Sequence, residues 1–417
     1  MVDYDVRDIS LAEQGIKNIE WAEAEMGSLM EVKQRFEKEK PFMGIRIGIA
    51  LHVTKETAVL VRTLMAGGAE IAICSCNPLS TQDDVAAALA KSGIKVYAKK
   101  GQTNEEYYHN IRQVINFKPQ ITIDDGCDLV TEIHQNYPSL IPSILFGNEE
   151  TTTGIIRLRA MEKDGALKYP MLAVNDLKTK HLFDNYYGTG QSTFDGILRA
   201  TNILIAGKIL VVCGYGPCGK GVALRGQALG ANVIVTEIDA FRALQAKMDG
   251  YRVMPIAQAV KEGDLFVTVT GNKKVIDMTH MQEMKESVIL ANAGHFDAEI
   301  NMKELKAKSS GQRKIRPFMD EFILRGKKIY VLGEGRLINL AAAEGHPSMV
   351  MAQSFCGQSL AVEYGVKNKN KLKIGVNELP QEIDETIARL QLKSLGVSMD
   401  MLTAEQKKYR ESWQEGT

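Results

Sequence analysis

The segment Gly214-Tyr-Gly216-Pro-Cys-Gly219 constrains this chain more than any other, because of what flanks it. Lys208-Ile-Leu-Val-Val-Cys213 precedes it, a short apolar run suited to a buried parallel strand. Lys220 to Leu229 reads as a helix, and Ala231-Asn-Val-Ile-Val-Thr-Glu237 as a second buried strand ending in an acid. Strand, glycine turn, helix, strand and acid, in that order, make a dinucleotide-binding βαβ fingerprint. Gly214 permits the tight turn, Gly216 lets the backbone approach a pyrophosphate, and Gly219 allows close helix–strand packing. The helix N-terminus then offers unpaired N–H groups and a positive dipole end to phosphates. Glu237 stands 23 residues after Gly214, where a carboxylate accepts from both ribose hydroxyls and would repel a 2′-phosphate. The expected cofactor is therefore NAD rather than NADP. A glycine-rich turn that merely packs is the alternative.

A chain of 417 residues exceeds the usual span of one hydrophobic core, so two domains are expected. Its 51 basic and 51 acidic residues cancel, which argues against an electrostatic grip on nucleic acid or on an acidic membrane. The N-terminal Met1-Val-Asp-Tyr-Asp-Val-Arg-Asp8 lacks the apolar core of a signal peptide, and no run reaches transmembrane length. The six cysteines form no C-x-x-C pair, and Cys74-x-Cys76 has no second pair to complete a tetrahedral metal shell. Reduced thiols and a cytoplasmic location are expected, with no metal.

Ser10–Glu25 and Ser28–Glu39 read as helices, Ser28 with Glu31 as a capping box, and Pro41 as the stop. Strands are expected at Ile45–Leu51, Glu70–Cys74, Lys95–Ala98, Gln120–Asp124 and Ser143–Phe146, with helices such as Glu56–Met65 and Gln82–Lys91 between them. A second series has strands at Lys208–Cys213, Asn232–Glu237, Asp264–Thr268, Ser287–Ala291 and Lys328–Leu332. The fold class is α/β, with two domains, each a mostly parallel sheet flanked by helices, the cofactor domain being Rossmann-type. The expected division is 1–184 for substrate, 185–345 for NAD, a return of 346–385 to the first domain through a helix at Pro347–Tyr364, and a C-terminal helical segment at 386–417. Thr403-x-x-Gln406 is a capping box in that last segment. No internal repeats or low-complexity tracts are present.

Ligands bind beyond the carboxyl ends of strands in open parallel sheets. In the first series these ends carry His52, Ser75–Asn77, Asp124–Asp128 and Gly147–Thr153; in the second, Gly214–Gly219, Glu237, Thr268–Asn272 (including Thr270), Asn292–His295 and Gly333–Asn339. His52, between a strand and a helix that Thr54 caps, is suited to proton exchange near neutral pH, or its ring simply packs. Asp124-Asp-Gly-Cys-Asp128 crowds three carboxylates and reads as a general base with a raised pKa, a metal site or a solvated turn. Glu149-Glu-Thr-Thr-Thr-Gly154 offers hydroxyls to a ribose or a carboxamide, or a run of turn bonds. In a helix, Lys180 and Asp184 share a face. A lysine held in a cleft has its pKa lowered enough to act as a base; an ordinary surface ion pair is the other reading. Gly294-His295 and Gly345-His346 each set a histidine where glycine lets the backbone come close to a ligand. His109, His134, His181 and His280 read as surface or structural.

These blocks together resemble the S-adenosylhomocysteine hydrolase family. The likeness runs through His52-x-Thr54-x-Glu56-Thr57, Ser75-Cys-Asn77, Ser80-Thr-Gln-Asp83, Asp124-Asp-Gly-x-Asp128, Glu149-Glu-Thr-Thr-Thr-Gly154, Asn175-Asp176, Lys180 and Phe183-Asp-Asn185. It continues through Gly214-Tyr-Gly216, Gly219-Lys-Gly221, Thr236-Glu-Ile-Asp239, Gly294-His-Phe-Asp297, Glu334-Gly-Arg-Leu337, Asn339-Leu340 and Gly345-His-Pro-Ser348. The resemblance implies reversible hydrolysis of S-adenosyl-L-homocysteine to adenosine and L-homocysteine. The ribose 3′-hydroxyl is oxidised with bound NAD, the C4′ proton is removed, homocysteine is eliminated, water adds, and the ketone is reduced again. It implies Lys180 and Asp184 at the 3′-hydroxyl, Asp125 and His52 at C4′ and C5′, and Glu150 with Asp125 on the ribose hydroxyls. His295 and His346 belong near the leaving group and the nucleoside. Thr151, Thr152, Thr153, Asn185, Gly214, Gly216, Gly219, Glu237, Thr270 and Asn339 belong to NAD, and a homotetramer is implied.

The resemblance also places Thr54 and Glu56 against the purine, where a carboxylate accepts from the N6 amino group of adenine. Hypoxanthine would oppose two acceptors there, so the adenosyl substrate is expected over the inosyl one. Departures from the family pattern are Asp84 and Thr189, where His and Cys are common; the latter argues against a required thiol at that position. Pro217 and Cys218 stand where Asp and Val are common in the glycine loop. The chain ends at Gln414-Glu-Gly-Thr417 without the Lys/Tyr tail that many relatives place on a neighbour's NAD, so more exchangeable NAD is expected, or a substitute contact near Lys407–Arg410. The competing readings are the same chemistry on S-inosyl-L-homocysteine, a dehydrogenase releasing NADH, and a silent NAD-binding protein.

Overall fold

A computed structural model describes residues 3–414. The first series supplies strands β1 (Arg46–Ala50), β2 (Glu70–Cys74), β3 (Lys95–Tyr97), β4 (Ile121–Asp124), β5 (Phe146–Glu149) and β6 (Pro170–Ala173). The second supplies β7 (Ile209–Cys213), β8 (Asn232–Thr236), β9 (Arg252–Val253), β10 (Leu265–Thr268), β11 (Val288–Asn292), β12 (Gly311–Arg316), β13 (Met319–Leu324) and β14 (Lys327–Leu332), and β15 is Gly375–Asn377. The first sheet runs β15-β6-β5-β4-β1-β2-β3 and is parallel throughout. The second runs β12-β13-β14-β11-β10-β7-β8-β9, with only the β12/β13 and β13/β14 pairs antiparallel. Its six parallel strands follow the Rossmann order.

Strand periodicity explains the layering. In the first sheet Ile47, Ile49, Ile71, Ile73, Ile121 and Ile123 feed one buried core, while Ala50, Ala72 and Cys74 feed the core on the opposite face. The second sheet alternates likewise, with Leu210, Val212, Val233 and Val235 on one face and Val211, Cys213, Ile234 and Phe266 on the other. Each fully buried Ile or Leu contributes roughly 1.5–3 kcal/mol, so helices must cover both faces. After residue 345 the chain returns to the first core through the helix Ser348–Asn368, which buries Phe355, Cys356 and Leu360 there.

Several expectations need correction. Ser28 caps nothing: the helix spans Gly27–Glu39 from an N-cap at Met26, and buried Ser28 donates to Gln391 Oε1 at 2.7 Å. The fifth strand is Phe146–Glu149 rather than Ser143–Phe146, because two prolines wind Pro138–Ser143 into a 3-10 turn. The return helix runs on to Asn368. Strands β6, β9, β12, β13 and β15 carried no recognised signal: β9 and β15 have only two and three residues, β12 is polar, β6 opens on Pro170, and Asp320 and Glu321 interrupt the apolar run of β13. The Thr54 cap and the Thr403/Gln406 capping box both form. The end of the chain beyond Gln414 lies outside the described residues. No helix among the described residues is long and apolar enough to cross a membrane.

Candidate active site at two facing switch points

Strand order reverses between β1 and β4 in the first sheet and between β7 and β10 in the second. Such points open a crevice beyond the strand ends, and here the two crevices form one cavity of about 1080 Å3. Every expected site residue lines it except Gly219.

On the first wall, β1 ends at Ala50 and His52 follows in the corner before the helix Lys55–Ala66. Thr54 Oγ1 accepts from Thr57 N, and the Thr57 hydroxyl donates to His52 O at 2.6 Å, which fixes the corner. The ring meets Ser80 Oγ at 2.8 Å and Cys76 Sγ at 3.2 Å through Nδ1, and Asp125 Oδ2 at 3.4 Å through Nε2. Burial pushes this imidazole down to about 4 while Asp125 pulls upward, so the ring is neutral at pH 7.

The three carboxylates after β4 divide their roles by direction. Asp124 turns inward, accepts from Asp125 N and Val130 N, and is pushed up to about 7 by burial. Asp128 turns outward to Arg157 at 2.7 Å and to the Tyr107 hydroxyl at 2.9 Å. Asp125 alone faces the cavity, with His295 Nδ1 3.6 Å from its Oδ1. His52, Cys76 and Asp125 bring a nitrogen, a thiol and a carboxylate oxygen within 4.8 Å of one another. Burial, Asp125 and Asp124 hold the Cys76 thiol well above its ordinary range.

Lys180 sits at the start of a π-helical segment, Lys180–Gly188. Its Nζ donates to Asn185 Oδ1 at 2.8 Å and lies 3.2 Å from Asp184 Oδ2 and 3.7 Å from Glu150 Oε1. Burial alone would lower its pKa, but Asp184, Glu150 and Asp125 outweigh it and hold the ammonium above the ordinary lysine range. The expectation of a lysine with a lowered pKa is therefore corrected: the cleft is desolvated, but it is lined by anions. Burial opposes ionisation of Asp184, yet Lys180 and His346 prevail and hold it well below the usual carboxylate range. Glu150 is pushed up to about 8 by burial, with Lys180 pulling the other way. His346 Nδ1 pairs with Asp184 Oδ1, and its Nε2 meets Thr189 Oγ1 at 3.3 Å and Asn339 Nδ2 at 3.2 Å.

The opposite wall is the glycine loop. Gly214 adopts φ +106°, and a Cβ on Gly219 would stand 2.0 Å from Gly214 O, so the helix Pro217–Ala228 can approach only with glycine there. Beside Gly216 the nearest atom to a Cβ would be Arg242 Nη1 at 3.6 Å, which leaves room for a ligand. The helix has no side-chain cap, and its first N–H groups stay available. Glu237 is pinned at its strand end by N–H bonds from Tyr215 at 2.7 Å, Ile238 at 2.6 Å and Asp239 at 3.0 Å. The loop carrying Thr270 is anchored by Glu299, which accepts from Thr270 N, Thr270 Oγ1 and Gly271 N. From the first wall, Thr152 Oγ1 donates to Asn175 Oδ1, and Thr151 and Thr153 line the same space. Asn339 Oδ1, Glu150 Oε1 and His295 Nε2 are buried without a hydrogen-bond partner among the described residues. Room over Gly216, free helix N–H groups, an acid at the β8 end and an unpaired carboxamide oxygen fit NAD.

Sequence reasoning did not assign roles to Cys76, Ser80, Asn148, Ser354 or Gln358, all of which touch site residues or their immediate supports. Ser80 stood inside a recognised block; the last two lie in a helix whose pattern reads as ordinary core.

Residues 3–140 match a sequence model of S-adenosyl-L-homocysteine hydrolase, and residues 185–345 match one of the S-adenosyl-L-homocysteine hydrolase NAD binding domain. The chain is 58% identical over 418 residues to adenosylhomocysteinase of Saccharolobus solfataricus, covering 100% of both chains. It is 58% identical over 414 residues to S-inosyl-L-homocysteine hydrolase of Methanocaldococcus jannaschii, covering 99% of this chain and 100% of that one. It is 55% identical over 418 residues to adenosylhomocysteinase of Aquifex aeolicus, covering 100% of both.

Proposed function

Since the chain belongs to the S-adenosyl-L-homocysteine hydrolase family, we propose that it cleaves S-adenosyl-L-homocysteine reversibly to adenosine and L-homocysteine. One observation carries this reading. A cluster of proton-handling groups, Lys180, Asp184, Glu150, Asp125, His52 and His295, shares a single cavity with an NAD-type glycine loop.

Gly214, Gly216, Gly219 and Glu237 would hold the adenosine half of NAD, and Thr151, Thr152, Thr153, Asn185, Thr270 and Asn339 the nicotinamide half. When bound, NAD supplies a hydride acceptor for the ribose 3′ carbon and returns the hydride at the end, so the net reaction is a hydrolysis. Lys180, steered by Asp184 and Asn185, takes the 3′-hydroxyl proton after its ammonium has released its own proton to water. Glu150 and Asp125 orient the ribose. With a carbonyl at C3′ the C4′ proton is acidic, and Asp125 removes it. The electron pair forms a C4′–C5′ double bond, the C5′–S bond breaks, and sulfur leaves with a proton from the Asp125–His52–His295 group. Water then adds at C5′, neutral His52 takes its proton, and C4′ is reprotonated.

Glu56 supports adenine as the base. Its Oε1 accepts from Ser348 Oγ at 2.6 Å and lies 3.3 Å from Lys55 Nζ. That leaves acceptor capacity suited to an amino group. The inosyl thioether is the second reading, motivated by the 58% identity to the M. jannaschii enzyme. We further assign 1–184 with 346–385 to a substrate domain, 185–345 to an NAD domain and 386–417 to a C-terminal segment, within a cytoplasmic homotetramer that binds no nucleic acid.

The test is purified protein with S-adenosyl-L-homocysteine, following free thiol and NADH absorbance together. Homocysteine release without bulk NADH supports the hydrolase. Accumulating NADH would make it a dehydrogenase, and neither signal would make it silent. Faster turnover of the inosyl thioether would overturn the choice of base.

A further inference from the structure

The long helix Ser348–Asn368 crosses behind the site, and three of its buried polar residues fall on site carboxylates. Ser348 Oγ donates to Glu56 Oε1 at 2.6 Å, Ser354 Oγ to Asp184 Oδ2 at 2.8 Å, and Gln358 Nε2 to Glu150 Oε2 at 2.5 Å. Ser354 and Gln358 are four residues apart and share one face.

We propose that this helix belongs to the proton-handling machinery, with Ser354 and Gln358 as positioning residues that set the rotamer and charge state of Asp184 and Glu150. The inference rests on the reaction proposed above. With Oδ1 given to His346 and Oδ2 to Ser354, Asp184 cannot rotate away from Lys180, which lies 3.2 Å from Oδ2. Gln358 occupies Glu150 Oε2, so the unpartnered Oε1 is left 3.7 Å from Lys180. The Gln358 amide is itself oriented: Asn148 Nδ2 donates to its Oε1 at 3.0 Å and to its backbone carbonyl at 3.3 Å, which leaves Nε2 facing Glu150.

The donors are neutral. A neutral donor favours the carboxylate form without adding a charge that would draw Glu150 away from Lys180. General satisfaction of buried polar groups is the competing account, and the same helix argues against it. Ser359, fully buried, has no hydrogen-bond partner among the described residues. Of the buried polar residues on this helix, the neutral donors Ser348, Ser354 and Gln358 fall on site carboxylates, while Glu363 takes cations outside the site, Arg35 and Lys367.

The experiment uses full-length holoenzyme carrying Gln358→Met, Ser354→Ala, Ser354→Thr or Ser359→Ala, assayed for homocysteine release across pH. Gln358→Met and Ser354→Ala are expected to lose about tenfold to a hundredfold in kcat with KM little changed. Ser354→Thr should restore the rate, and Ser359→Ala should match the unsubstituted enzyme. In Gln358→Met the limb governed by Glu150 should move up by about one pH unit, because a donor to the anion is gone. Folded Gln358→Met and Ser354→Ala enzymes with normal kcat would overturn the proposal, as would an unmoved limb in Gln358→Met or an equal loss in Ser359→Ala. An unsubstituted enzyme that releases no homocysteine would instead sink the reaction itself, so the two failures are distinguishable.

Discussion

Lys180 Nζ donates to Asn185 Oδ1 at 2.8 Å, five residues along the same helical segment. An ordinary α-helix turns residues five apart well away from each other. The wider π-helical turn over Lys180–Gly188 brings Asn185 round, while Asp184 stays within 3.2 Å. One ammonium thus faces a neutral acceptor and an anion at once.

Asp184→Asn should lower the proton affinity of Lys180, since the nearest anion holding its proton disappears. The activity limb that requires the neutral amine then moves to lower pH, while kcat falls by about a hundredfold or more. Lys180→Met should abolish the rise in 340 nm absorbance when adenosine is added to the NAD-loaded enzyme. A normal rise would remove Lys180 from the 3′-hydroxyl step.

His52 makes folding pH-dependent. Its pKa falls from 6.5 to about 4 on burial, so the unfolded chain binds more protons between these values. Stability should decline as pH drops through that window, by up to about 3 kcal/mol from this residue. His52→Gln should flatten the decline in urea midpoints measured from pH 7 to pH 4. An unchanged slope would show that the ring titrates normally in the fold.

Gly219→Ala puts a methyl group 2.0 Å from the backbone oxygen of Gly214. The helix must back away, costing roughly 1–3 kcal/mol, and the loop loses its approach to the pyrophosphate. NAD content after gel filtration should fall at least severalfold, with a lower melting temperature in the NAD-free protein. Full NAD retention would contradict the role given to this contact.

Glu56→Gln should narrow the preference for the adenosyl over the inosyl thioether by about tenfold or more, because an amide offers hypoxanthine the donor that a carboxylate lacks. The measurement is kcat/KM for both thioethers in both proteins. An unchanged ratio would move base selection elsewhere.

The sequence by itself determined the elements whose signals are local. Apolar runs of four or five residues mark the central strands, because a parallel strand buried on both faces must be apolar along its length. Gly214 and Gly219 mark the turn because a side chain suits neither the φ of +106° at the first nor the 2.0 Å clearance at the second, while Gly216 leaves its space open to a ligand. Thr54 marks the helix start because its hydroxyl accepts from the free Thr57 N–H of the first turn. The blocks carrying His52, Asp125, Glu150 and Lys180 are local signals too, and these four residues line one cavity.

Only the tertiary structure decided what those residues are electrostatically. Three aspartates within five residues look alike in sequence, yet of these only Asp125 lines the cavity, while Asp124 caps inward and Asp128 pairs with Arg157. Lys180 reads as a candidate for a depressed pKa, and the anions packed around it from other parts of the chain reverse that sign. Ser354 and Gln358 carry no motif, because their partners lie 170 and 208 residues away. Propensity and motif report forces between near neighbours in sequence. Charge state and orientation in a buried site are set by groups that meet only when the sheets and the returning helix have packed.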